Sequence, residues 1–328
     1  MLPWFQDQFP LYLAPMAGVT DTIFRQLCKE QGADVMVTEF VSAEGIFRRN
    51  ERTMEYLEFV EAERPLGVQL FGGDPAHLGE AARMVADWKQ PDFIDLNFGC
   101  PVNKVVSKNG GSSLLRDCPL LERVARAVVQ AAAPLPVTAK IRIGWCEQTI
   151  NATTTARLLQ DCGVQAIAVH GRTKEQGYSG VANWDVIAEV AAAVRVPVIG
   201  NGDITSAADA VRAMKRGVRG LMLGRAAMSA PWIFREIKHF LATGETLAAL
   251  ALETQWAFII RHCRWKVAAI GSELHAMQTM RTRLMAYSRG MPEAKQLRFR
   301  FAHVASIAEL EDIAAENLTR AAAEAVVA

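Results

Sequence analysis

The stretch FIDLNFGCPVNK, residues 93–104, contains a thiol, Cys100, at a position that suggests chemistry. The apolar run reaches Asn97, and Cys100 follows just before a proline, so a strand is expected to end there and a loop to begin. A small buried cysteine is the ordinary alternative, and it suits Cys28, Cys118 and Cys162. The position of Cys100 at a strand end favours a functional thiol instead.

Polar or small residues also follow the other apolar runs of the sequence. These residues are Pro15, Met16, Ala17, Gly18, Glu39, Gln69, Asn97, Lys140, Arg142, His170, Arg172, Asn201, Gly202, Asp203, Gly224 and Arg225. Taken singly, Gln69 fits a satisfied polar side chain, Lys140 an internal ion pair, and His170 a hydrogen-bonded core residue. Buried charged groups cost free energy unless they are paired or occupied, so the whole set indicates a site for a polar ligand.

The runs that carry these residues predict the fold. Eight of them have β-strand character, at residues 11–18, 35–40, 66–72, 93–101, 137–145, 166–173, 196–203 and 220–227. Amphipathic segments of helical length separate them, which predicts right-handed crossovers and a parallel sheet. Eight such units over about 240 residues match an α/β fold of the (β/α)8 TIM-barrel type, with catalytic groups at the carboxyl ends of the strands. An open doubly wound sheet is the alternative.

Two glycine-bearing turns follow the seventh and eighth runs. One contains Asn201, Gly202 and Asp203, and the other contains Gly224 and Arg225. Barrels commonly bind phosphate at this place with backbone N–H groups, and an arginine adds a fixed fork of donors. The alternative is that the glycines serve tight turns alone.

The strand pattern stops near residue 243, and helical spacing takes over. We therefore predict a barrel domain over residues 1–243 and an all-helical domain over residues 244–328. Basic residues are concentrated in one part of the second domain: Arg261, Arg264, Lys266, Arg281, Arg283, Arg289, Lys295, Arg298 and Arg300. This concentration fits either a nucleic-acid contact or a solvated helix face.

Composition excludes several classes of protein. The formal net charge is +1 and 51% of residues are hydrophobic, which argues against a surface that is basic or acidic throughout. Six cysteines without a Cys-x-x-Cys pair disfavour a disulfide framework and a zinc site, so we expect no metal. The N-terminal segment is a poor signal peptide, and no apolar stretch reaches the roughly 20 residues of a membrane helix. A cytoplasmic protein is predicted.

Motifs across the barrel part of the sequence resemble those of the bacterial tRNA-dihydrouridine synthases, most closely the B-type enzymes. They are LAPMAGVTD, VQLFGGDP, DLNFGCPVNKV, AKIRIGW, VHGRTKEQGYSG, VIGNGDI and LGRAAMSAPWIF. The resemblance implies an FMN-bearing barrel and a helical domain that grip tRNA together. It also implies NADPH as the reductant, with NADH possible, and we expect a monomer.

The resemblance assigns site residues position by position. Pro15, Met16 and Ala17 match positions against the isoalloxazine ring, Gln69 and Lys140 its polar edge, His170 the ring or ribityl chain, and Asn201, Gly202, Asp203, Gly224 and Arg225 the ribityl and phosphate positions. Asn97 matches a residue beside flavin and uracil. Cys100 matches the proton donor, and a thiol with the ordinary pKa of about 8.5 is protonated at neutral pH.

The implied reaction reduces the C5=C6 bond of uridine. A hydride passes from flavin N5 to C6, and a proton reaches C5 from the opposite side of a base flipped out of the RNA. Expected tRNA contacts are Lys104, Lys108, Arg142, Arg172, Arg281, Arg283 and Arg298. Relatives commonly carry Arg-Lys-His and then an aromatic pair in the helical domain. This chain reads MRTRLMAYSRG, so Arg281 and Tyr287 match while Thr282, Arg283 and Ala286 depart.

Two other functions are compatible with such a barrel. One is reduction of a free pyrimidine or small enone, against which the basic helical tail and the VHGRTKEQGYSG stretch argue. The other is RNA binding without catalysis, against which Cys100, Lys140 and the phosphate-site residues argue. The sequence contains no G-x-G-x-x-G after a strand, so we expect the nicotinamide to visit the flavin face transiently.

Overall fold

A closed barrel of parallel strands forms the larger part of the chain. The structure is a computed structural model that describes residues 2–6 and 8–327, apart from the side chains of Lys104 and residues 324–327. The strands are β1 Leu11–Leu13, β2 Met36–Val37, β3 Val41–Ser42, β4 Leu66–Phe71, β5 Phe93–Phe98, β6 Val137–Arg142, β7 Ala166–His170, β8 Val198–Asn201 and β9 Gly220–Leu223. Their order is β1-β9-β8-β7-β6-β5-β4-β2, with β3 also on β4. A parallel bridge between Tyr12 and Val35 closes the circle. The predicted (β/α)8 barrel is confirmed, and the open sheet is excluded.

The second predicted strand, residues 35–40, differs from the prediction. It is divided into β2 and β3, which both pair with β4 through Met36↔Leu66 and Val41↔Leu70. Between these two pairs the β2–β3 segment advances five residues while β4 advances four, so the extra residue forms a bulge. It arises because Oγ1 of Thr38 accepts the hydrogen bond from the Gln69 N–H, which takes the place of a ladder bond.

Helices surround the barrel and connect its strands. They are α1 Thr22–Glu30, α2 Ala43–Phe47, α3 Glu51–Glu55, α4 Pro75–Lys89, α5 Asn103–Val106, α6 Cys118–Ala132, α7 Ala152–Asp161, α8 Trp184–Ala193, α9 Ala207–Met214, α10 Arg225–Ser229 and α11 Ile233–Thr243. Side-chain caps begin several of them, as at Asp74 for α4 and Asp117 for α6. Helix α6 buries Leu121, Val124 and Val128, the spacing of an amphipathic helix against the sheet.

The barrel interior is apolar towards one end and polar towards the other. Phe93, Ala168 and Met222 belong to one buried cluster inside it. Further along the strands, Gln69, Asp95 and Thr138 are register partners, and Asn97 is the partner of Lys140 in the next row. These polar residues alternate along the strands with apolar residues that face the helices. The strands therefore direct a polar tier towards their carboxyl ends.

A helical region follows the barrel and packs on it through α1. Its helices are α12 Leu252–Ile270, α13 Glu273–Tyr287, α14 Ala294–Phe301 and α15 Ile307–Val327. Trp256, Leu284 and Phe301 form a second buried cluster, which includes Leu27 of α1. The domain limits at residues 243 and 244 stay predictions. Among the described helices, none has both the length and the apolar character needed to cross a bilayer.

Candidate active site

Cys100 lies in a loop whose backbone is fixed from both sides. Its N–H donates to Oδ1 of Asn97 at 2.8 Å, and the Gly99 N–H donates to the same oxygen at 3.1 Å. The Cys100 carbonyl accepts from the N–H and the hydroxyl of Ser112. The thiol residue is 8% exposed, so it lies at the edge of a protected site.

Two glycines allow neighbouring segments to approach this loop. Gly111 has φ +59°, and a Cβ there would stand 2.8 Å from the carbonyl oxygen of Cys100. Gly73, after β4, lies so close to Asn109 that a Cβ would stand 2.3 Å from the Asn109 carbonyl oxygen. Side chains at either position would displace the loop that carries the thiol.

A chain of buried side chains runs behind Asn97. Nδ2 of Asn97 donates to Oε1 of Gln69 at 2.8 Å, and Nε2 of Gln69 donates to Oδ2 of Asp95 at 2.6 Å. The hydroxyl of Thr138 donates to the other carboxyl oxygen of Asp95 at 2.6 Å. Burial raises the pKa of Asp95, which its hydrogen bonds and the nearby Lys140 oppose. Sequence reasoning did not identify Asp95 or Thr138 as members of the site.

The groups around Cys100 control which proton form it adopts. Burial raises the pKa of the thiol, while the Val102 N–H, Arg142 and Lys140 act in the opposite direction. Burial and the neighbouring Arg142 lower the pKa of Lys140 to about 8. The thiol is therefore protonated at neutral pH. Two cations nearby favour the thiolate that remains when it gives up its proton.

Arg142 and Arg172 are both 2% exposed, and backbone groups occupy their guanidinium groups. Arg142 donates to the carbonyl oxygens of Gly99, Thr173 and Gly177 at 2.7–2.9 Å. Arg172 donates to the carbonyls of residues 179 and 180 and to the carboxylate of Asp203. Both arginines thus hold loops at the barrel mouth, and their predicted contact with tRNA stays a prediction.

The ends of β7, β8 and β9 form a second polar corner. Asp203 has φ +52° and accepts two hydrogen bonds from Arg172, one from Arg225 and one from the Ala182 N–H. Burial alone would raise the pKa of Asp203, but these donors outweigh it and hold the pKa below its ordinary value. Arg225 is half-exposed and lies over the ring of Tyr178, 4.8 Å from its centroid.

His170 lies at the same corner as a neutral imidazole. Its ring is buried, and burial together with Lys140, Arg142 and Arg172 lowers its pKa far below the ordinary value. Gly202 approaches this ring closely, since a Cβ there would stand 3.3 Å from Cδ2 of His170. His170 is therefore placed to donate or accept a hydrogen bond without adding charge.

Pro15, Met16 and Ala17 begin the turn after β1, beside the end of the neighbouring strand β9. The N–H of Met16 donates to the Thr20 hydroxyl, and the Gly18 N–H donates to Oε2 of the buried Glu39 at 2.7 Å. A Cβ at Gly224 would lie 3.5 Å from the Met16 sulfur. The first and last strands thus bring these two predicted cofactor segments together.

The described residues fit the groups that FMN presents. Within the described chain, the amides of Gly202, Asp203 and Gly224 make no hydrogen bond, and the neighbouring Arg225 is half-exposed. Asn201 is fixed by a hydrogen bond from its Nδ2 to the Met222 carbonyl at 2.7 Å. Unpaired amides next to an arginine provide donors for a phosphate. The Met16 turn and Lys140 offer an apolar surface and a cation for a ring with a polar edge.

The remaining predicted tRNA contacts have different environments. Lys108 and Arg298 are exposed, whereas Arg281 donates to the carbonyls of residues 303 and 304. Arg283 is 7% exposed and contacts the barrel instead of solvent. The side chain of Lys104 lies outside the described residues. An exposed aromatic residue that the sequence reasoning passed over, Phe299, stands next to Arg298 and is 73% exposed.

The cysteines and the potential metal ligands bear on the predicted absence of a disulfide framework and of a metal site. All six cysteines are free thiols. Within residues 2–6 and 8–327, no group of three or more His, Cys, Asp or Glu side chains is arranged to hold a metal ion. The absence of a disulfide framework and of a metal site stays a prediction.

The chain as a whole is similar to one family of known proteins. The model of the family described as Dihydrouridine synthase (Dus) matches residues 12–326. tRNA-dihydrouridine synthase B of Pseudomonas aeruginosa is 41% identical over 292 residues, covering 89% of this chain and 87% of that protein. The enzyme of the same name from Pseudomonas syringae pv. tomato is 43% identical over 253 residues, covering 77% and 74%. A probable tRNA-dihydrouridine synthase of Rickettsia bellii is 39% identical over 290 residues, covering 88% of each chain.

Proposed function

Because the chain belongs to the dihydrouridine synthase family, we propose that it reduces the C5=C6 bond of specific uridines in tRNA. The proposed reductant is NADPH, with NADH as the alternative. The observation that carries the proposal is Cys100, a protonated thiol held at the mouth of a barrel beside Asn97 and Lys140. An acid in that position matches the proton that the reduction requires.

FMN is the proposed cofactor. Gly202, Asp203, Gly224 and Arg225 would hold its phosphate, and Asn201 and His170 would lie along the ribityl chain. Pro15, Met16 and Ala17 would support the ring, while Gln69, Asn97 and Lys140 would meet its polar edge. When bound, FMN would supply the hydride that C6 of the uracil receives. Support comes from the unpaired amides at the ends of β8 and β9.

Cys100 would donate the proton to C5 of the uracil. The C5=C6 bond becomes a single bond, and the sulfur keeps the electron pair of its S–H bond as a thiolate. Lys140 and Arg142 favour this thiolate through their positive charge. Solvent then returns a proton to the sulfur, because the raised pKa of the thiol makes the protonated form the stable one at neutral pH.

The uridine has to leave the RNA stack before it can reach a thiol that is 8% exposed. We propose that exposed basic residues, Lys108 after α5 and Arg298 on α14, bind the tRNA backbone. Free thiols at all six cysteines agree with a reducing compartment, so the proposed site of action is the cytoplasm. A monomer is the proposed working form.

The decisive experiment is mass-spectrometric mapping of dihydrouridine in tRNA from cells that lack this protein. Loss at defined positions, and recovery when the gene is restored, would support the proposal. Unchanged dihydrouridine would refute it. Purified protein should be yellow from bound flavin and should reduce tRNA in preference to free uracil. The opposite preference would favour the free-pyrimidine reductase.

A further inference from the structure

Asp95 is a buried carboxyl group that the proposed reaction leaves without a task. It is 4% exposed and lies on β5, two residues before Asn97, with its side chain on the same interior face. Burying a carboxyl group is costly unless each oxygen has a hydrogen-bond partner. Both oxygens of Asp95 have one, from Gln69 and from Thr138. What these contacts achieve depends on the direction of each hydrogen bond.

Asp95 determines the orientation of two amide groups in succession. A side-chain amide has an accepting end and a donating end, so a fixed partner at one end fixes the other end as well. Oδ2 of Asp95 accepts from Nε2 of Gln69, which turns Oε1 of Gln69 towards Asn97. Nδ2 of Asn97 meets that oxygen, which turns Oδ1 of Asn97 towards the loop.

The last member of this relay holds the thiol loop directly. Oδ1 of Asn97 accepts the N–H groups of Gly99 and Cys100. If both amides reversed, Nδ2 of Asn97 would face those two N–H groups, so donors would oppose donors. Buried polar networks are costly when partly satisfied, and the loop would move away from a reversed Asn97.

We propose that Asp95 is a positioning residue for Cys100, acting through the ordered amides of Gln69 and Asn97. This inference rests on the proposed role of Cys100 as the acid. Asp95 touches neither the substrate nor the sulfur. It selects one of two arrangements of the relay, the one in which the accepting oxygen of Asn97 holds the thiol loop in place.

The test compares Asp95→Leu with Asp95→Asn and measures the position of the thiol without relying on turnover. The protein as purified is treated with iodoacetamide, and alkylation of Cys100 is followed by peptide mass spectrometry. Cys146, a partly exposed cysteine outside the relay, is the internal reference. Asp95→Leu removes the acceptor, so Cys100 should react about tenfold faster relative to Cys146, equivalent to about 1.4 kcal/mol.

Asp95→Asn is the matched control at the same position. The asparagine keeps an accepting oxygen for Gln69, and the Thr138 hydroxyl can rotate to accept from its NH2 group. Alkylation of Cys100 should therefore stay within about twofold of the wild-type rate, which corresponds to a small part of the free energy of one hydrogen bond. An Asn variant that reacts as fast as the Leu variant would show that the charge matters instead of the relay, and would overturn the proposal.

Gln69→Met breaks the relay at its middle and serves if Asp95→Leu does not fold. It should accelerate alkylation of Cys100 as Asp95→Leu does. Where both single variants fold, the double variant should be alkylated no faster than either of them, because both substitutions break the same chain of hydrogen bonds. Additive effects, or a wild-type rate in folded Gln69→Met, would refute the relay. If Cys100→Ala keeps its turnover, the proposed acid fails, while the alkylation result still decides the relay.

Discussion

Arg283 on α13 donates a hydrogen bond to the carbonyl oxygen of Val19, in the turn that begins with Pro15 after β1. Its guanidinium also lies 4.2 Å from the ring centroid of Phe24 on α1. The helical region therefore contacts the turn proposed to support the cofactor ring. Sequence reasoning had grouped Arg283 with tRNA contacts, because charge in a sequence does not reveal the direction of a side chain.

We expect Arg283→Met to lower the free energy of unfolding by about 1 kcal/mol, because the Val19 carbonyl loses its partner. The effect should be modest, since Nη1 of Arg283 is buried without a hydrogen-bond partner among the described residues and its burial already costs free energy. Urea unfolding measures the change. An unaltered midpoint together with weaker tRNA binding would favour the original RNA contact.

Arg298→Gln should act on RNA binding instead of stability. Arg298 is exposed on α14 beside Phe299, so its loss should remove the proposed phosphate contact without disturbing packing. The slope of log affinity for tRNA against log salt should fall by about one. Arg212→Gln, at an exposed position on α9, is the control. An equal fall in both variants would mean that general charge, not this surface, attracts tRNA.

Cys100→Ala should retain flavin and tRNA affinity but lose about 100-fold to 10,000-fold in turnover, the range for removal of a general acid. Single-turnover reduction of tRNA by the reduced enzyme is the measurement. Reduction of the enzyme by NADPH should be unchanged, because that step needs no proton from the thiol. Cys146→Ala is the control variant. Wild-type turnover in Cys100→Ala would place the acid elsewhere.

Flavin retention should weaken as the pH rises from 7 to 9. Burial, with Arg142 nearby, lowers the pKa of Lys140 to about 8, so the amine loses its charge within this range. The dissociation constant for FMN should rise roughly tenfold, in line with the 1.5–3 kcal/mol of a charged hydrogen bond. Flavin fluorescence follows the release. Lys140→Met should bind weakly at every pH, and a wild-type pH dependence in that variant would exclude Lys140.

Acid should destabilise the helical region through His262. Burial lowers its pKa from 6.5 to about 3 in the folded chain, where Nδ1 lies 2.9 Å from the Tyr287 hydroxyl. Below pH 6.5 the unfolded chain therefore binds a proton that the folded chain does not, and stability falls by about 1.4 kcal/mol per pH unit. His262→Gln should show a shallower loss between pH 6.5 and 5 in urea unfolding. The exposed His275→Gln should keep the wild-type slope, and identical slopes in all three proteins would contradict the prediction.

The barrel could be predicted from the sequence because its strands are short apolar runs separated by amphipathic segments. The bulge between β2 and β3 could not, since it depends on one hydrogen bond from Gln69 to the Thr38 side chain. The limits of helix α14 could not be predicted from the sequence, because basic residues at 295, 298 and 300 interrupt the apolar spacing of this short helix.

The sequence allowed the residues at the carboxyl ends of the strands to be predicted as a group, because these ends meet at one end of the barrel. Gln69, Asn97 and Lys140 come together because register places them in neighbouring rows. The role of Asp95 was not visible, since its alternation with Asn97 also fits an ordinary strand. Arg142 shows a similar limit, because the sequence gives its charge but not the backbone carbonyls that hold it.

The glycines at positions 73 and 111 bear on protein engineering. Each lets one stretch of main chain rest against another at a distance that a methyl group would prevent. A designer who grafts the cysteine loop onto a different scaffold must therefore transplant three segments at once: the loop itself and the two glycine-bearing stretches beneath it. A graft of the short stretch around the sulfur alone would lack the backbone contacts that hold the loop in its conformation.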